Sequence, residues 1–446
     1  MNIVIAGDGE VGFHLAKSLN EMNNNITVVD PHSDLLKRLE SENDLLSITG
    51  SSTSPEVLQE ANVASSDLFL SVLHDESINL ITCMMAKKLK AKKTVARVTN
   101  VEYLTPQNRE MFRALGVDEM VCPERIAAKE ITNLLNNSVA NEFFDFSGGL
   151  LTMCLIRIDS ESEVVGKSVK ELVQMYNSVQ VRVVAVVRNS ETIIPHASFV
   201  FQSGDLAYTI SNPNQMDSIK KLLGKSDVEI RSAMIAGGGR IGRITAKALE
   251  DRMSITLVDA DRKRCEELSG MLNHSLVING DATDIELLKE EGLDQKDAFI
   301  AVTDSSETNV LTCLQARRLG VKRTIALVEN TGFINLSQDI GIDTIINKKL
   351  ITASYIARFI VKGDAASSKW LSGTNAELIE FVVGKHAVAT RKPIRDLNFP
   401  QGSIIGGIIR GRETMLPSGA TQLQEKDKVV VFTLPKMVDQ VSKIFK

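Results

Sequence analysis

The chain of 446 residues contains an internal duplication, and this feature constrains its fold more than any other. When the sequence is aligned with itself, residues 7–12 match residues 237–242. Residues 67–97 and 297–327 are identical at 11 of 31 positions without a gap. The segment that follows each of these regions repeats as well, so that residues 193–195 align with 415–417 and residues 204–205 with 426–427. The order of segments is therefore A–B–A′–B′, which is not the plan of one long enzyme.

Each A segment alternates short apolar runs with helical patterns, and this predicts a parallel sheet with crossover helices. Asn79 is expected to cap a helix whose apolar face contains Ile81, Met84, Met85 and Leu89. Six strands joined by five crossovers form a Rossmann-type doubly wound domain. The runs that predict strands in the first A segment are residues 3–6, 26–29, 45–49, 67–73, 94–98 and 119–122.

Each B segment has short β-branched runs around turn residues and ends in a helical pattern, which predicts a small α+β domain. The clearest linker, residues 363–368, joins A′ to B′. The fold class is therefore α/β, with two Rossmann-type doubly wound parallel-sheet domains, each followed by a small α+β domain. The predicted domains are residues 1–138, 139–225, 226–365 and 366–446.

Composition excludes several classes of protein. A count of 51 basic and 56 acidic residues gives a net charge of −5, and aromatic residues make up 4% of the chain. Both values argue against nucleic acid as a ligand. The five cysteines and six histidines lack metal-ligand spacing, so we expect reduced thiols and no metal site. Without a long apolar run or a signal-peptide pattern, the chain is expected to be cytoplasmic.

Two Gly-x-Gly-x-x-Gly loops carry the main functional signal. Each loop follows a short apolar strand and opens a helix, and the next strand ends in an acid, Asp30 or Asp259. The separation of each acid from the third glycine of its loop is close to that of dinucleotide-binding sites. The loop residues are Gly7, Asp8, Gly9, Glu10, Val11 and Gly12 in the first copy, and Gly237, Gly238, Gly239, Arg240, Ile241 and Gly242 in the second.

Each part of this pattern has a physical role. The first glycine permits the tight turn, the second lets phosphate approach the backbone, and the third lets the helix pack on the strand. Free N–H groups at the helix start bind an anion. The acid accepts hydrogen bonds from ribose hydroxyls and repels a 2′-phosphate, so the pattern disfavours NADP.

Further loops are expected at the same carboxyl edge of each sheet, where ligands of such sheets bind. Arg97 can contact phosphate, whereas the second copy has Leu327 at that position. His74 is equally compatible with a solvated loop residue. Glu124 can either help to hold a divalent ion or be a plain surface residue, and its counterpart is Lys348. The predicted loop contacts are Ser51, Ser52, Leu73, His74 and Arg97 in the first copy, and Gly280, Asp281, Thr303 and Asp304 in the second.

These motifs together resemble the TrkA-type regulatory subunits of bacterial Trk potassium uptake, which are built from paired RCK (KTN) domains. The matching segments are the two glycine loops with Asp30 and Asp259, residues 94–98, 166–172 and 301–309, and the double A–B order across essentially the whole chain. Copy one departs from the family pattern at residues 71–74, where Ser-Val-Leu-His replaces a sequence closer to Ala-Val-Thr-Asn or Ala-Val-Thr-Asp.

The resemblance implies a cytosolic ring on the inner face of the cell membrane, assembled on a TrkH-type potassium-translocating subunit. In this interpretation NAD(H), ATP or ADP binds the Rossmann domains and changes the ring's shape, and a homotetramer follows if the ring has eight lobes. The alternatives are an NAD-dependent oxidoreductase and a nucleotide-binding scaffold without a membrane partner. We do not expect an enzyme, because no base or nucleophile constellation accompanies the nicotinamide position.

Overall fold

The structure is a computed structural model. It describes residues 1–7, 10–20, 24–42, 45–136, 142–176, 179–189, 191–223, 230–330, 334, 340, 342–357, 365–371 and 376–446. The chain divides into two compact units, Met1–Ile126 with Lys348–Lys362 and Ala127–Asn347 with Gly363–Lys446. The finer division into four domains, with the boundaries given above, stays a prediction.

The first A segment forms a six-stranded parallel sheet in the order β3-β2-β1-β4-β5-β6. This is the doubly wound order, whose topological switch point lies between β1 and β4. The strands are β1 (Asn2–Ala6), β2 (Asn25–Asp30), β3 (Leu46–Thr49), β4 (Leu68–Ser71), β5 (Thr94–Arg97) and β6 (Glu119–Val121). The helices are α1 (Glu10–Asn20), α2 (Ser33–Glu42), α3 (Pro55–Glu60), α4 (Glu76–Lys88), α5 (Pro106–Ala114) and α6 (Pro123–Asn136).

The second A segment repeats this sheet in the order β14-β13-β12-β15-β16-β17. Its strands are β12 (Ser232–Ala236), β13 (Ser254–Asp259), β14 (Ser275–Asn279), β15 (Ala298–Ala301), β16 (Arg323–Leu327) and β17 (Thr344–Ile346). Its helices are α9 (Arg240–Leu249), α10 (Arg262–Met271), α11 (Ile285–Glu290), α12 (Ser306–Arg318) and α13 (Lys348–Ala357). In both sheets the central strands are buried along almost their whole length, as expected when helices cover both faces. The predicted fold class is confirmed.

Each B segment forms a five-stranded sheet whose observed pairs are antiparallel, and the two sheets have equivalent strand orders, β10-β9-β11-β8-β7 and β21-β20-β22-β19-β18. Both sheets contribute to one hydrophobic core, in which Leu151 and Tyr208 lie with Leu378 and Phe432. The elements are β7 (Glu142–Phe146), β8 (Leu151–Arg157), α7 (Val169–Met175), β9 (Val181–Arg188), β10 (Glu191–Ile193), β11 (Leu206–Ser211), α8 (Met216–Leu222), β18 (Ala365–Trp370), β19 (Glu377–Val382), β20 (Ser403–Arg410), β21 (Glu413–Met415), β22 (Lys428–Thr433) and α14 (Val438–Phe445).

Three local predictions were wrong. Asp75, not Asn79, caps helix α4, because its carboxylate accepts hydrogen bonds from the N–H groups of Ser77 and Ile78. Ile81, assigned to the apolar face, is 50% exposed. Residues 365–368 of the predicted linker belong to strand β18, whereas residues 363 and 364 lie outside the described residues. The residues of that segment are small or polar, which is compatible with a strand at the edge of a sheet.

Helix α13 comes from the second half of the sequence but belongs to the first compact unit, where it packs against α1. Burial, together with the positive charges of Lys349 on α13 and Lys17 on α1, lowers the pKa of His14 in this contact. The first Rossmann sheet is therefore completed by a helix that the second copy of the duplication supplies. Among the described residues, no helix has both the length and the apolar character needed to cross a bilayer.

Candidate nucleotide-binding sites

The first glycine loop makes the turn that the sequence predicts. Gly7 has a φ of +124°, and a Cβ there would lie 3.2 Å from the backbone of Val72 and Leu73. A Cβ on Gly12 would lie 1.9 Å from the carbonyl oxygen of Gly7, so α1 can begin this close to β1 only with glycine. Asp8 and Gly9 lie outside the described residues, as does the side chain of Glu10.

The second glycine loop is described in full. Gly237 has a φ of +107°, and a Cβ on Gly242 would lie 1.9 Å from the carbonyl oxygen of Gly237. Gly239 caps α9 without any side-chain hydrogen bond, and the position of its missing Cβ faces open space. Arg240 follows as the first residue of the helix and is exposed. An open helix N-terminus beside a glycine backbone is suited to binding a phosphate group.

The acid at the end of the second strand lies against the loop in the second copy. Oδ2 of Asp259 accepts a hydrogen bond of 2.7 Å from the N–H of Gly238, and Oδ1 accepts one of 2.8 Å from the N–H of Asp261. In the first copy, Oδ1 of Asp30 accepts a hydrogen bond from the N–H of His32 (2.9 Å) and lies 2.8 Å from its ring Nδ1. Both acids are buried, so each is fixed at the carboxyl edge of its sheet.

One charged residue of the second site was not predicted from the sequence. Nη1 of Arg264 donates a hydrogen bond of 3.0 Å to Oδ2 of Asp259. This hydrogen bond raises the pKa of Arg264, and the charge of Asp304 contributes in the same direction. The first copy has Leu35 at the equivalent position after Asp30. The available signal was a basic residue five positions after the predicted ribose-binding acid, in the first turn of the next helix.

Two buried asparagines connect the loops that follow the central strands. Oδ1 of Asn79 accepts hydrogen bonds from Ser71 Oγ (2.8 Å) and the N–H of Leu73 (2.9 Å), while its Nδ2 donates to the carbonyl oxygens of Leu73 and Arg97. Asn79 is a positioning residue. This explains why both copies of the duplication have an asparagine at this position although Asn79 caps no helix.

Asn309 makes the same kind of hydrogen bonds in the second copy. Its Oδ1 accepts from the N–H and Oγ1 of Thr303, and its Nδ2 donates to the carbonyl oxygens of Thr303 and Leu327. The repeat alignment of Asn79 with Asn309 was the signal for this role, but the sequence alone could not distinguish it from a cap.

The other predicted contact residues differ in how accessible they are to a ligand. Ser51 and His74 are exposed, whereas Ser52 is buried near Thr82, with 3.5 Å between the two hydroxyl oxygens. Asp281 is exposed, but its carboxylate accepts hydrogen bonds from the N–H and hydroxyl of Thr283, and these lower its pKa. The remaining residues are Leu73 and Thr303 (half-buried), Asp304 (exposed), Gly280 (half-buried), Val11 (half-buried) and Ile241 (buried). Their contacts with a nucleotide stay predictions.

Arg97 and Glu124 lie side by side at the edge of the first sheet. Nη2 of Arg97 is 3.8 Å from Oε1 of Glu124, and the buried Nε of Arg97 has no hydrogen-bond partner. Glu124 is buried next to this cation, so a divalent ion there would compete with Arg97 for the carboxylate. Across the described residues, no group of three His, Cys, Asp or Glu side chains is placed to hold a metal ion.

The segments A, B, A′ and B′ of the duplication match two known domain families, which alternate along the chain as the duplication predicts. The TrkA-N domain matches residues 3–123 and 233–348, and the TrkA-C domain matches residues 153–224 and 378–446. A Trk system potassium uptake protein TrkA homolog from Archaeoglobus fulgidus is 33% identical over 448 residues, and TrkA homolog 1 from Methanosarcina mazei is 31% identical over 455 residues. Each alignment covers 100% of this chain and 100% of the relative.

Solved structures share the fold at lower identity. The GsuK RCK domain is 20% identical with a TM-score of 0.61, covering 99% of this chain and 94% of that one. The GsuK channel bound to NAD is 20% identical with a TM-score of 0.61, covering 99% and 78%. GsuK bound to ADP is 18% identical with a TM-score of 0.51, covering 80% and 69%.

Proposed function

Because the chain belongs to the TrkA family of Trk potassium uptake proteins, we propose that it is the nucleotide-binding regulatory subunit of a potassium uptake system. The family is assigned by four domain matches and by full-length relatives above 30% identity. The relatives are named as potassium uptake proteins, and this agrees with the expectation that the chain is not an enzyme.

One observation carries the nucleotide-binding part of the proposal. In the second site, the uncapped N-terminus of α9 opens at Gly239, and Asp259 is held by Gly238 at the adjacent strand end. A phosphate group can bind at the helix N-terminus, and ribose hydroxyls can donate hydrogen bonds to the carboxylate. The two features lie next to each other, which matches the phosphate and ribose parts of an adenosine phosphate. The first site repeats the glycine geometry at Gly7 and Gly12 with Asp30 at the equivalent strand end.

The ligands that we propose are NAD(H), ADP and ATP. Support for NAD and ADP comes from GsuK, which has the same fold and has been solved with each of them. ATP is proposed because the second loop has Arg240 beside the helix N-terminus, and this charge favours additional phosphate. The binding residues are those of the two glycine loops, the two acids and the adjoining loops named above.

The partner that we propose is a TrkH-type potassium-translocating membrane subunit, with this chain bound to it on the cytoplasmic face as a homotetrameric ring. Regulation requires only that a nucleotide bind one ring conformation more tightly than another, and no chemical step is needed. Two nucleotide sites in one chain make such coupling possible, since binding at either site can shift the same equilibrium.

The test is potassium flux into proteoliposomes that contain a TrkH-type subunit, measured with and without the full chain and each nucleotide. We expect nucleotides to change the flux only when the chain is present. A matched variant carries both Asp30→Ala and Asp259→Ala and should bind the membrane subunit while losing the nucleotide response. A potassium flux that is the same with and without every nucleotide would contradict regulation.

Two further measurements separate the alternatives. Turnover of NADH with an alcohol or acid substrate, followed by its absorbance, would indicate an oxidoreductase. Failure of the full chain to sediment with membranes that contain the TrkH-type subunit, while it still binds nucleotide, would indicate a scaffold without a membrane partner.

A further inference from the structure

The first small domain contains a cavity of about 500 Å³, separate from the two glycine loops. It is bounded by strands β8, β9 and β11 and by helices α7 and α8, and residues of β20 and of the segment after β21 reach its edge. Protein interiors are usually packed without voids of this size, and the volume lies in the range of small-molecule sites. Its apolar lining includes Ile156, Val169, Leu172, Val181, Ile219 and Leu222.

One cation lies in the wall of this apolar cavity. Nη1 of Arg182 donates a hydrogen bond of 3.0 Å to the carbonyl oxygen of Pro417, but its buried Nε has no hydrogen-bond partner. Burial lowers the pKa of Arg182, and within the described part of the chain no carboxylate forms an ion pair with it. A partly buried cation without a counter-ion is unfavourable, and an anion in the cavity would offset that cost.

The duplication shows that the fold does not require a cation at this position. The alignment that places Asp205 on Asp427 also places Arg182 on Ile404. Arg182 pairs with Ile210 in the first small sheet, and Ile404 makes the corresponding pair with Phe432 in the second. The second small domain therefore has an apolar side chain where the first has Arg182. Since both sheets form with the same strand order, the arginine is a feature of the cavity and not of the architecture.

We propose that this cavity binds a small amphipathic monoanion, such as a medium-chain carboxylate. The apolar chain would lie among the aliphatic side chains, and the carboxylate would form an ion pair with the guanidinium of Arg182. A single charged side chain in a mostly apolar wall matches one negative charge and an apolar tail. A nucleotide does not fit this chemistry, because its several phosphate charges would face aliphatic side chains.

The test compares octanoate with 1-octanol, which has the same chain length and no charge, by calorimetry on the full-length protein. We expect octanoate to bind at least tenfold more tightly than 1-octanol. Arg182→Ile, which copies the residue of the second domain, should reduce octanoate affinity to that of 1-octanol and leave 1-octanol binding unchanged. Arg182→Lys should retain part of the difference. Equal affinities for the two probes, or octanoate binding that survives Arg182→Ile, would overturn the proposal.

A second variant locates the site. Ala197 lines the cavity and is exposed, so Ala197→Trp should obstruct the cavity without disturbing the sheet. We expect this variant to lose both probes while its circular dichroism and melting temperature match those of the original protein. Unchanged octanoate binding in Ala197→Trp would place the ligand elsewhere and contradict the proposal, including in the case that Arg182→Ile does not fold.

Discussion

Nη1 of Arg264 lies 3.0 Å from Oδ2 of Asp259, so the acid proposed to bind ribose in the second site already forms an ion pair with an arginine. The first copy has no arginine at this sequence position, because Leu35 occupies it. This difference bears on how the two sites discriminate between NADH and NADPH, since an arginine near the ribose 2′ position can accommodate a 2′-phosphate.

We predict that both sites prefer NADH to NADPH and that the preference is weaker at the second site. Arg264→Ala should strengthen the second site's preference by about fivefold, equivalent to roughly 1 kcal/mol for a screened surface charge. The measurement is calorimetric titration of full-length Asp30→Ala, in which nucleotide binding at the first site is expected to be weaker. Arg262→Ala, an exposed neighbour paired with Glu266, is the control. An unaltered NADPH-to-NADH ratio in Arg264→Ala would contradict this role.

Removing either of the two acids proposed to bind ribose should weaken nucleotide binding only at its own site. Asp30→Ala and Asp259→Ala are each expected to cost roughly 1–3 kcal/mol of binding free energy, from the loss of charge-assisted hydrogen bonds. Asp34→Ala, an exposed carboxylate on α2, is the matched control for Asp30. If neither acid affects the affinity for NADH, the proposed orientation of the ribose is wrong.

The two sites should also differ in their preference for ATP. The first loop has acidic residues at Asp8 and Glu10, whereas the second has Gly238 and Arg240. Because ATP carries more negative charge than a dinucleotide, we expect the first site to favour NADH over ATP more strongly than the second. Each site is titrated in the full chain with the other weakened by its Asp→Ala substitution, with and without Mg²⁺. Arg240→Gln should reduce the difference, and equal ATP-to-NADH ratios at both sites would refute it.

Asn309 should be needed to hold the loops after β15 and β16. Asn309→Ala removes four hydrogen bonds from a buried position and is expected to cost about 1–3 kcal/mol of unfolding free energy. Urea denaturation measures this effect, and nucleotide titration of the second site should show weaker binding at temperatures where the variant is folded. The exposed Asn273→Ala is the control, because Asn273 donates a hydrogen bond to Glu250 from its backbone N–H, which the substitution keeps. Equal stabilities of the two variants would contradict the positioning role.

A buried carboxyl should make the stability of the small domains depend on pH. Burial raises the pKa of Glu377 to about 8, and neither of its side-chain oxygens has a hydrogen-bond partner. Between pH 4.5 and about 8 the folded state therefore holds a proton that the unfolded state has released, so stability falls as pH rises through this window.

Glu377→Gln should remove this dependence and leave the protein more stable at pH 8 than the original chain, by roughly 1–3 kcal/mol. Thermal melts from pH 5 to pH 9 provide the measurement, and the exposed Glu425→Gln is the control. A parallel pH profile for the original protein and Glu377→Gln would show that Glu377 is not the responsible group.

The sequence was sufficient to predict both Rossmann sheets, because most of their strands are buried apolar runs and the duplication presents every run twice. The glycine turns followed as well, since only glycine tolerates the backbone at Gly7 and Gly237. Edge strands such as β7 and β18 were missed, because an edge strand needs no continuous apolar run.

Contacts between residues far apart in the sequence could not be predicted from local sequence patterns, for a different reason. The apolar residues of the two small domains could have been buried separately, and nothing in their periodicity indicates that Tyr208 and Phe432 lie in one core. The pairing of Arg264 with Asp259 likewise depends on the direction in which α10 leaves the end of β13. The number of residues between Arg264 and Asp259 is compatible with such a pair but does not establish it.

The packing of α13 against α1 has a consequence for how the protein is made. As the chain leaves the ribosome, the strands of the first Rossmann sheet emerge long before Lys348–Ala357 has been synthesised. During that interval the surface of α1 that α13 covers must remain exposed or be covered by something else. A gene fragment that ends between the two halves would never supply α13 to that surface. The first half thus depends on translation of the second for its final folding step, and this couples the two halves of the duplication at the level of biosynthesis.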